Sequence, residues 1–280
     1  MTGLLAAAAL TGCSIAPEPG TTGTVTVPTA DGERTALVHR PPSAGPGSPL
    51  VVVLHGARDS AAKIRAESGW DRLADREGFV VAYPEGLDAT WNAGTCCGRA
   101  QERGVDDVAF LDALVGTLRD SDGIDTARVG AVGFSNGAMM TYAWACARPG
   151  RLTGIGPVAG ALLVDCPAPG PVSVVALHGT ADEVVPIQGG PSAAGVEPGL
   201  DASLAPFLAG CAADPEVVTE GAAAVSTWTC DGGRTVVRDV ITGLGHAWPG
   251  GGPDAGTSDG PEDATGFLWS RVSGRVAAAS

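Results

Sequence analysis

RVGAVGFSNG, residues 128–137, sets an apolar run directly against a G-x-S-x-G pattern. Arg128 to Gly133 reads as a buried strand, and Asn136 to Arg148 reads as a helix. Ser135 stands at the turn between them. Glycines at 133 and 137 relieve crowding where a strand passes sharply into a helix, so the Ser135 hydroxyl can project outward. In a chain with 42 glycines the pattern alone arises by chance. The strand before it and the helix after it supply the context that a nucleophile elbow requires.

Upstream, Leu50 to Leu54 (LVVVL) and Phe79 to Tyr83 are continuous apolar runs, as strands buried on both faces of a parallel sheet should be. Ser60 to Glu77 between them has helical periodicity. Asp106 or Asp107 can cap a helix running through Phe110, Leu111 and Leu114. Nearer the start, Thr21 to Pro28 alternates like a strand, with Arg34 to His39 as its hairpin partner. Downstream, Gly154 to Val158, Val172 to Leu177 and Val236 to Ile241 read as further strands. Pro261 to Val276 reads as a closing helix with Pro near its first turn. Gly189 to Gly233 reads as loop-rich, packed over the sheet edge or the site. The alternation from residue 50 onward predicts an α/β fold, a mostly parallel central sheet with helices on both faces. With no internal repeat and no second domain visible, residues 21–280 are expected to form a single catalytic domain.

A serine nucleophile needs a base, and the chain has only four histidines. His39 precedes the first parallel strand. His55 precedes Ser135 in chain order, and His178 ends a strand while the sheet is still being built. His246 lies in a loop after the last strand and alone fits the order nucleophile, acid, histidine. Asp182, in the turn His178-Gly179-Thr180-Ala181-Asp182, is the preferred orienting carboxylate, with Glu183 and Asp165 as rivals. An oxyanion needs two N–H donors. The N–H of Asn136 is one, and the turn after Leu54-His55-Gly56 should give the other from Ala57, with His55 fixing that turn. Trp91 and Trp248 lie on loops that should border the site, where they could stack on an aromatic acyl group or a sugar; packing the loops down is the alternative. For Asp106 and Asp107, helix capping is preferred over substrate contact.

The composition suits a well-packed domain: 280 residues, 44% hydrophobic and 17% charged. Seventeen Lys+Arg against 31 Asp+Glu give a net charge of −14. That argues against a nucleic-acid partner and against docking on an anionic membrane through basic residues. No C-x-x-C pair with a matching His suggests a metal site, and serine chemistry needs no cofactor. Oligomeric state is not readable.

The compartment is written at the N-terminus and in the cysteines. Leu4 to Leu10 is apolar but too short to span a bilayer. It leads into Leu10-Thr11-Gly12-Cys13, which resembles a bacterial lipobox. Residues 1–12 then read as a cleaved lipoprotein signal, Cys13 as the lipidated residue, and 13–20 as a tether. No Lys or Arg precedes the apolar run, and a true start a few residues upstream would supply one. The expected place is the extracellular face, anchored to the outer side of the cytoplasmic membrane through Cys13 alone. Six further cysteines imply disulfides in an exported chain. Cys211 and Cys230 are the easiest pair, closing a loop of about 20 residues for about 3 kcal/mol. Pairing Cys146 with Cys166 leaves Cys96 and Cys97 as a vicinal pair; crossed pairings among these four are equally allowed.

Six segments together carry a resemblance: VVVLHG (51–56), WNAGTCCG (91–98), VDDVAFL (105–111), GFSNGAMM (133–140), HGTADEVVP (178–186) and GHAWPGG (245–251). The chain resembles the polyhydroxybutyrate depolymerase and feruloyl-esterase-like family of secreted α/β-hydrolases over nearly all of its mature length. The resemblance implies an α/β-hydrolase fold, the triad Ser135, Asp182 and His246, and a lipoprotein subset with a lipobox. It implies hydrolysis of carboxylic esters, either a polyhydroxybutyrate-type polyester or feruloyl and acetyl esters on polysaccharide. A serine peptidase of the same fold is an alternative, though such enzymes usually add a cap or propeller. A non-catalytic surface-binding lipoprotein is another, though it should have lost a triad member.

Overall fold

The computed structural model describes residues 19–30, 32–192, 195–252 and 263–273. The expected signal, the expected lipidation site Cys13 and most of the expected tether lie outside them. The chain opens with an antiparallel hairpin, β1 (Thr21–Thr29) and β2 (Gly32–Arg40). The central strands follow: β3 (Leu50–Leu54), β4 (Val80–Pro84), β5 (Val129–Phe134), β6 (Gly154–Val158) and β7 (Ser173–Gly179). A small hairpin, β8 (Gly189–Ser192) and β9 (Gly195–Pro198), stands apart. The last strands are β10 (Glu216–Glu220), β11 (Ala223–Thr229) and β12 (Thr235–Ile241).

Ten strands form one sheet in the order β1-β2-β4-β3-β5-β6-β7-β12-β11-β10. From β4 to β12 the neighbours run parallel; both margins are antiparallel. Successive side chains of a strand point to opposite faces, and β3 shows the result. Leu50, Val52 and Leu54 pack with Phe110, Leu114 and Trp144 from α4 (Asp107–Asp122) and α5 (Asn136–Ala147). Val51 and Val53 join the opposite layer, with α1 (Ala61–Ser68), α2 (Trp70–Glu77) and α7 (Ala264–Val272). Each such buried aliphatic side chain contributes roughly 1.5–3 kcal/mol of burial. Two short helices, α3 (Gly98–Glu102) and α6 (Leu200–Leu204), lie in connections.

Three readings are revised. The helix expected over 60–77 is two helices, because Gly69 adopts a left-handed φ of 72° between them. The closing helix starts later than expected, capped by Asp263, whose side chain accepts from the Thr265 N–H. The segment 189–233 is not simply loop: β10 and β11 extend the sheet by two antiparallel strands. Every residue of β10 is exposed, so no apolar run marks it. The cysteines pair as Cys146–Cys166, Cys211–Cys230 and Cys96–Cys97, which resolves the open alternatives. Cys211–Cys230 ties together the two ends of the β10–β11 segment.

Candidate active site

Ser135 sits between β5 and α5 with φ 55° and ψ −120°. A non-glycine residue rarely holds a positive φ, and it persists where the surroundings enforce it. Here the glycines do. A Cβ at Gly137 would collide with the Leu54 and His55 carbonyl oxygens, and one at Gly133 would collide with the Gly137 carbonyl. The helix therefore packs directly on the end of β3, and the serine is left facing a hollow.

That hollow has a volume of about 480 Å³. Ser135 and His246 both line it, although no hydrogen bond joins them in the ligand-free protein. Such bonds often tighten only when substrate is bound. His246 lies in the loop after β12, its ring 4.8 Å from that of Phe134. Its Nδ1 is 2.8 Å from Asp182 Oδ2, which leaves Nε2 as the nitrogen available to the serine.

Asp182 is buried in the turn after β7 and fully bonded. Its Oδ1 accepts from the Val184 and Val185 N–H groups, each at 2.9 Å. Its Oδ2 also has His178 Nε2 at 3.4 Å. Burial pushes the carboxyl pKa upward, but the bonds from His178, His246 and the Val185 N–H outweigh it. Asp182 is held well below the usual carboxylate range and stays ionised. The rivals Glu183 and Asp165 are both exposed, and Asp165 borders a different hollow.

The other three histidines have structural partners. His39 contacts Thr22 and Asp75. His178, not singled out from sequence, donates from Nε2 to the Val185 carbonyl at 2.8 Å while supporting Asp182; its i,i+4 spacing from Asp182 was the available signal. His55 is fully buried. Its Nε2 accepts from the Gly86 N–H at 2.9 Å, so Nδ1 carries the proton and donates to the Gly56 carbonyl at 2.7 Å. Burial lowers its pKa, against the bond to Gly56, which keeps the ring neutral. His55 thereby fixes the 55–57 turn. A Cβ on Gly56 would lie 3.4 Å from Ser135 Cβ, and Ala57 lines the hollow beside the serine. The N–H of Asn136 is the first of α5 and has no acceptor within its own helix. Of the two expected oxyanion donors, Ala57 thus borders the hollow that holds Ser135, and Asn136 follows the serine directly in the chain.

Of the two candidate stacking surfaces, Trp91 is closed off from the hollow, and Trp248 borders a second, shallower one beside His246. Trp91 is fully buried; its Nε1 donates to the His55 carbonyl at 2.9 Å. Its backbone is clamped by the Asn136 side chain, which accepts from the Trp91 N–H at 2.7 Å and donates to its carbonyl at 3.1 Å. Trp248 is also buried, with Nε1 bonded to Thr265 Oγ1. Both rings anchor loops. Asp106 caps α4 through the Ala109 N–H. Asp107 is buried on Arg34 and the Asn92 N–H, holding the same loop from behind. The hollow's walls come instead from Phe134, Met139, Val184, Val185 and the Cys96–Cys97 pair, with Glu197 of β9 set among them. Among the described residues, no group of three or more His, Cys, Asp or Glu side chains could hold a metal ion.

Residues 34–205 match the family described as "Esterase PHB depolymerase". The chain is 31% identical over 238 residues to "Putative esterase NocK" of Nocardia uniformis subsp. tsuyamanensis, covering 75% of this chain and 68% of that one. It is 35% identical over 123 residues to feruloyl esterase C of Emericella nidulans, covering 44% of this chain and only 42% of the relative. Among solved structures, an acetyl xylan esterase from Aspergillus awamori superposes with a TM-score of 0.62 at 15% identity, covering 81% of this chain and 94% of that one. That likeness establishes the fold, an α/β-hydrolase.

Proposed function

The chain belongs to the esterase PHB depolymerase family of carboxylic ester hydrolases, and on that premise we propose that Ser135, His246 and Asp182 are its catalytic triad. The observation that carries the reading is the His246–Asp182 bond of 2.8 Å beside a serine forced to positive φ. Ser135 Oγ attacks the ester carbonyl carbon while His246 Nε2 takes its proton. Asp182 stabilises the resulting imidazolium. The N–H groups of Ala57 and Asn136 receive the oxyanion, favoured by the positive end of the α5 dipole. As the C–O bond breaks, His246 returns the proton to the leaving alcohol. Water, deprotonated by His246, then hydrolyses the acyl-enzyme.

The substrates are esters of a polyhydroxybutyrate-type polyester, or feruloyl and acetyl esters on polysaccharide. Three disulfides fit a protein working outside the reducing cytoplasm. A lipid anchor on Cys13 belongs to the same proposal, and intact-mass measurement of the membrane-extracted protein tests it.

The test of the activity uses oxidised protein from residue 14 onward beside Ser135→Ala. Both are assayed on p-nitrophenyl acetate and butyrate, methyl ferulate and emulsified polyhydroxybutyrate. The expected outcome is activity in the parent protein and a loss of at least about a thousandfold in the variant. Equal inactivity of both on all four substrates overturns the triad.

A further inference from the structure

One carboxyl group in the hollow is used by nothing described so far. Glu197 lies on β9 with only 4% of its surface exposed, yet it lines the hollow that holds Ser135 and His246. Its two oxygens are treated differently. Oε1 accepts from Ser192 Oγ on the paired strand β8 at 2.6 Å, which fixes the carboxyl's orientation. Oε2 is buried and has no hydrogen-bond partner among the described residues.

A buried polar oxygen left unpaired is costly, and folded proteins rarely keep one without a use. The neighbouring walls, Met139, Val184 and Val185, offer it no donor side chain. The cations that line the hollow, Arg58 and Lys63, are exposed; Lys63 pairs with Asp59 and Glu67. A group that reaches this oxygen must therefore enter with the substrate. It must carry a hydrogen-bond donor, because an apolar group would leave the oxygen unpaired, and in the ester classes proposed above that donor is an O–H.

Resting on the esterase reading above, we propose that Glu197 is a specificity-determining residue that accepts a hydrogen bond from a hydroxyl group of the substrate through Oε2. The enzyme therefore selects esters bearing a hydroxyl a short distance from the scissile bond. A site built to bond a hydroxyl discriminates strongly against the analogue without it, since the analogue leaves the acceptor desolvated and unpaired. The hydroxyl can sit in the acyl half, as in a 3-hydroxyacid or a phenolic acid, or in the alcohol half, as in a sugar. The shared chemistry is the same.

The experiment compares matched ester pairs differing by one hydroxyl: p-nitrophenyl 3-hydroxybutyrate with p-nitrophenyl butyrate, methyl ferulate with methyl 3-methoxycinnamate, and 2-hydroxyethyl acetate with ethyl acetate. The first two pairs probe the acyl half and the third the alcohol half. In the parent protein, at least one pair is expected to favour the hydroxylated ester by about tenfold or more in kcat/KM. Glu197→Ala is expected to reduce that ratio by a similar factor, mostly through KM. Glu197→Gln, which keeps the size of the side chain and a bond to Ser192, tests the same point if the alanine variant does not fold. No preference in the parent protein for any pair overturns the proposal while leaving the esterase intact. So does a parallel loss on both members of each pair, which would mark Glu197 as a support for the β8–β9 hairpin. Inactivity of the parent protein on every ester removes the esterase reading and this inference with it.

Discussion

Asp182 follows β7, and Asp239 lies within β12, the strand that pairs with β7 in parallel. Both are buried, at 6% and 0% exposure. Four donors or near-donors surround Asp182, and its pKa is driven down. Neither oxygen of Asp239 has a hydrogen bond, and burial pushes its pKa up to about 7 against the pull of Arg271. The same side chain, at the same depth and one strand apart, is an anion in one place and close to half-protonated at neutral pH in the other. Burial alone does not set the state of a carboxyl; the donors aimed at it do. The contrast also separates purposes. Asp182 stands at a strand end where loops can supply N–H groups, whereas Asp239 sits mid-strand, where the ladder has already consumed them.

The contrast breaks most sharply at Asp182. Asp182→Asn should lower kcat by about three to four orders of magnitude, because the amide no longer holds His246 in the tautomer the serine needs. Steady-state kinetics on p-nitrophenyl butyrate checks this, and near-normal kcat would dismiss Asp182 as the triad acid. Asp239→Asn acts on stability instead. The folded pKa of about 7 stands above the ordinary value of 3.8. Between these values the folded state keeps a proton that the unfolded state has released. Stability therefore falls as pH rises from about 4 to about 7 and levels off above. The asparagine variant loses that slope, so its Tm relative to the parent should climb across this window. The full span is on the order of 4 kcal/mol, and thermal melts at pH 4.5 and 8 capture most of it. A difference in Tm that is flat with pH would show that Asp239 does not titrate there.

Smaller effects sharpen the comparison further. Replacing both Cys211 and Cys230 with Ala frees the margin beyond β12 and should cost about 3 kcal/mol. It should leave kcat on soluble esters unaltered, since the pair closes beside the Thr235 end of β12, opposite the Ile241 end from which the His246 loop leaves. Calorimetry and kinetics together test this, and a large fall in kcat would mean that the margin supports the site. His178→Gln removes one of Asp182's partners and should lower kcat about tenfold with little change in KM, in line with one weakened charged hydrogen bond. An unaltered kcat would show that the two backbone N–H groups and His246 suffice for Asp182.

The parts of the fold readable from sequence are those where burial on both faces leaves an unbroken apolar run, as in LVVVL of β3. The proposed triad could be put forward from sequence because G-x-S-x-G constrains the backbone locally and chain order then sorts the histidines. The margin was not. Glu216-Val217-Val218-Thr219-Glu220 is fully exposed and has a neighbour on only one side, so no periodic burial shaped it. Trp91 and Trp248 look alike in sequence whether they face substrate or pin a loop; the difference lies in the His55 carbonyl and the Thr265 hydroxyl, each distant along the chain. Glu197 was invisible for the same reason, since what sets it apart is an oxygen with nothing to bind.

The exposed strand β10 has a consequence for the protein in concentrated solution. It ends the sheet with a bare row of backbone groups and presents Val217 and Val218 at 61% and 42% exposure. Such a margin invites a second copy to add its own strand. A glutamate at each end and a net charge of −14 set copies against one another. Colloidal stability therefore rests on ionisation at this margin, and it is weakest near the sequence isoelectric point of about 4.5, where that repulsion is gone.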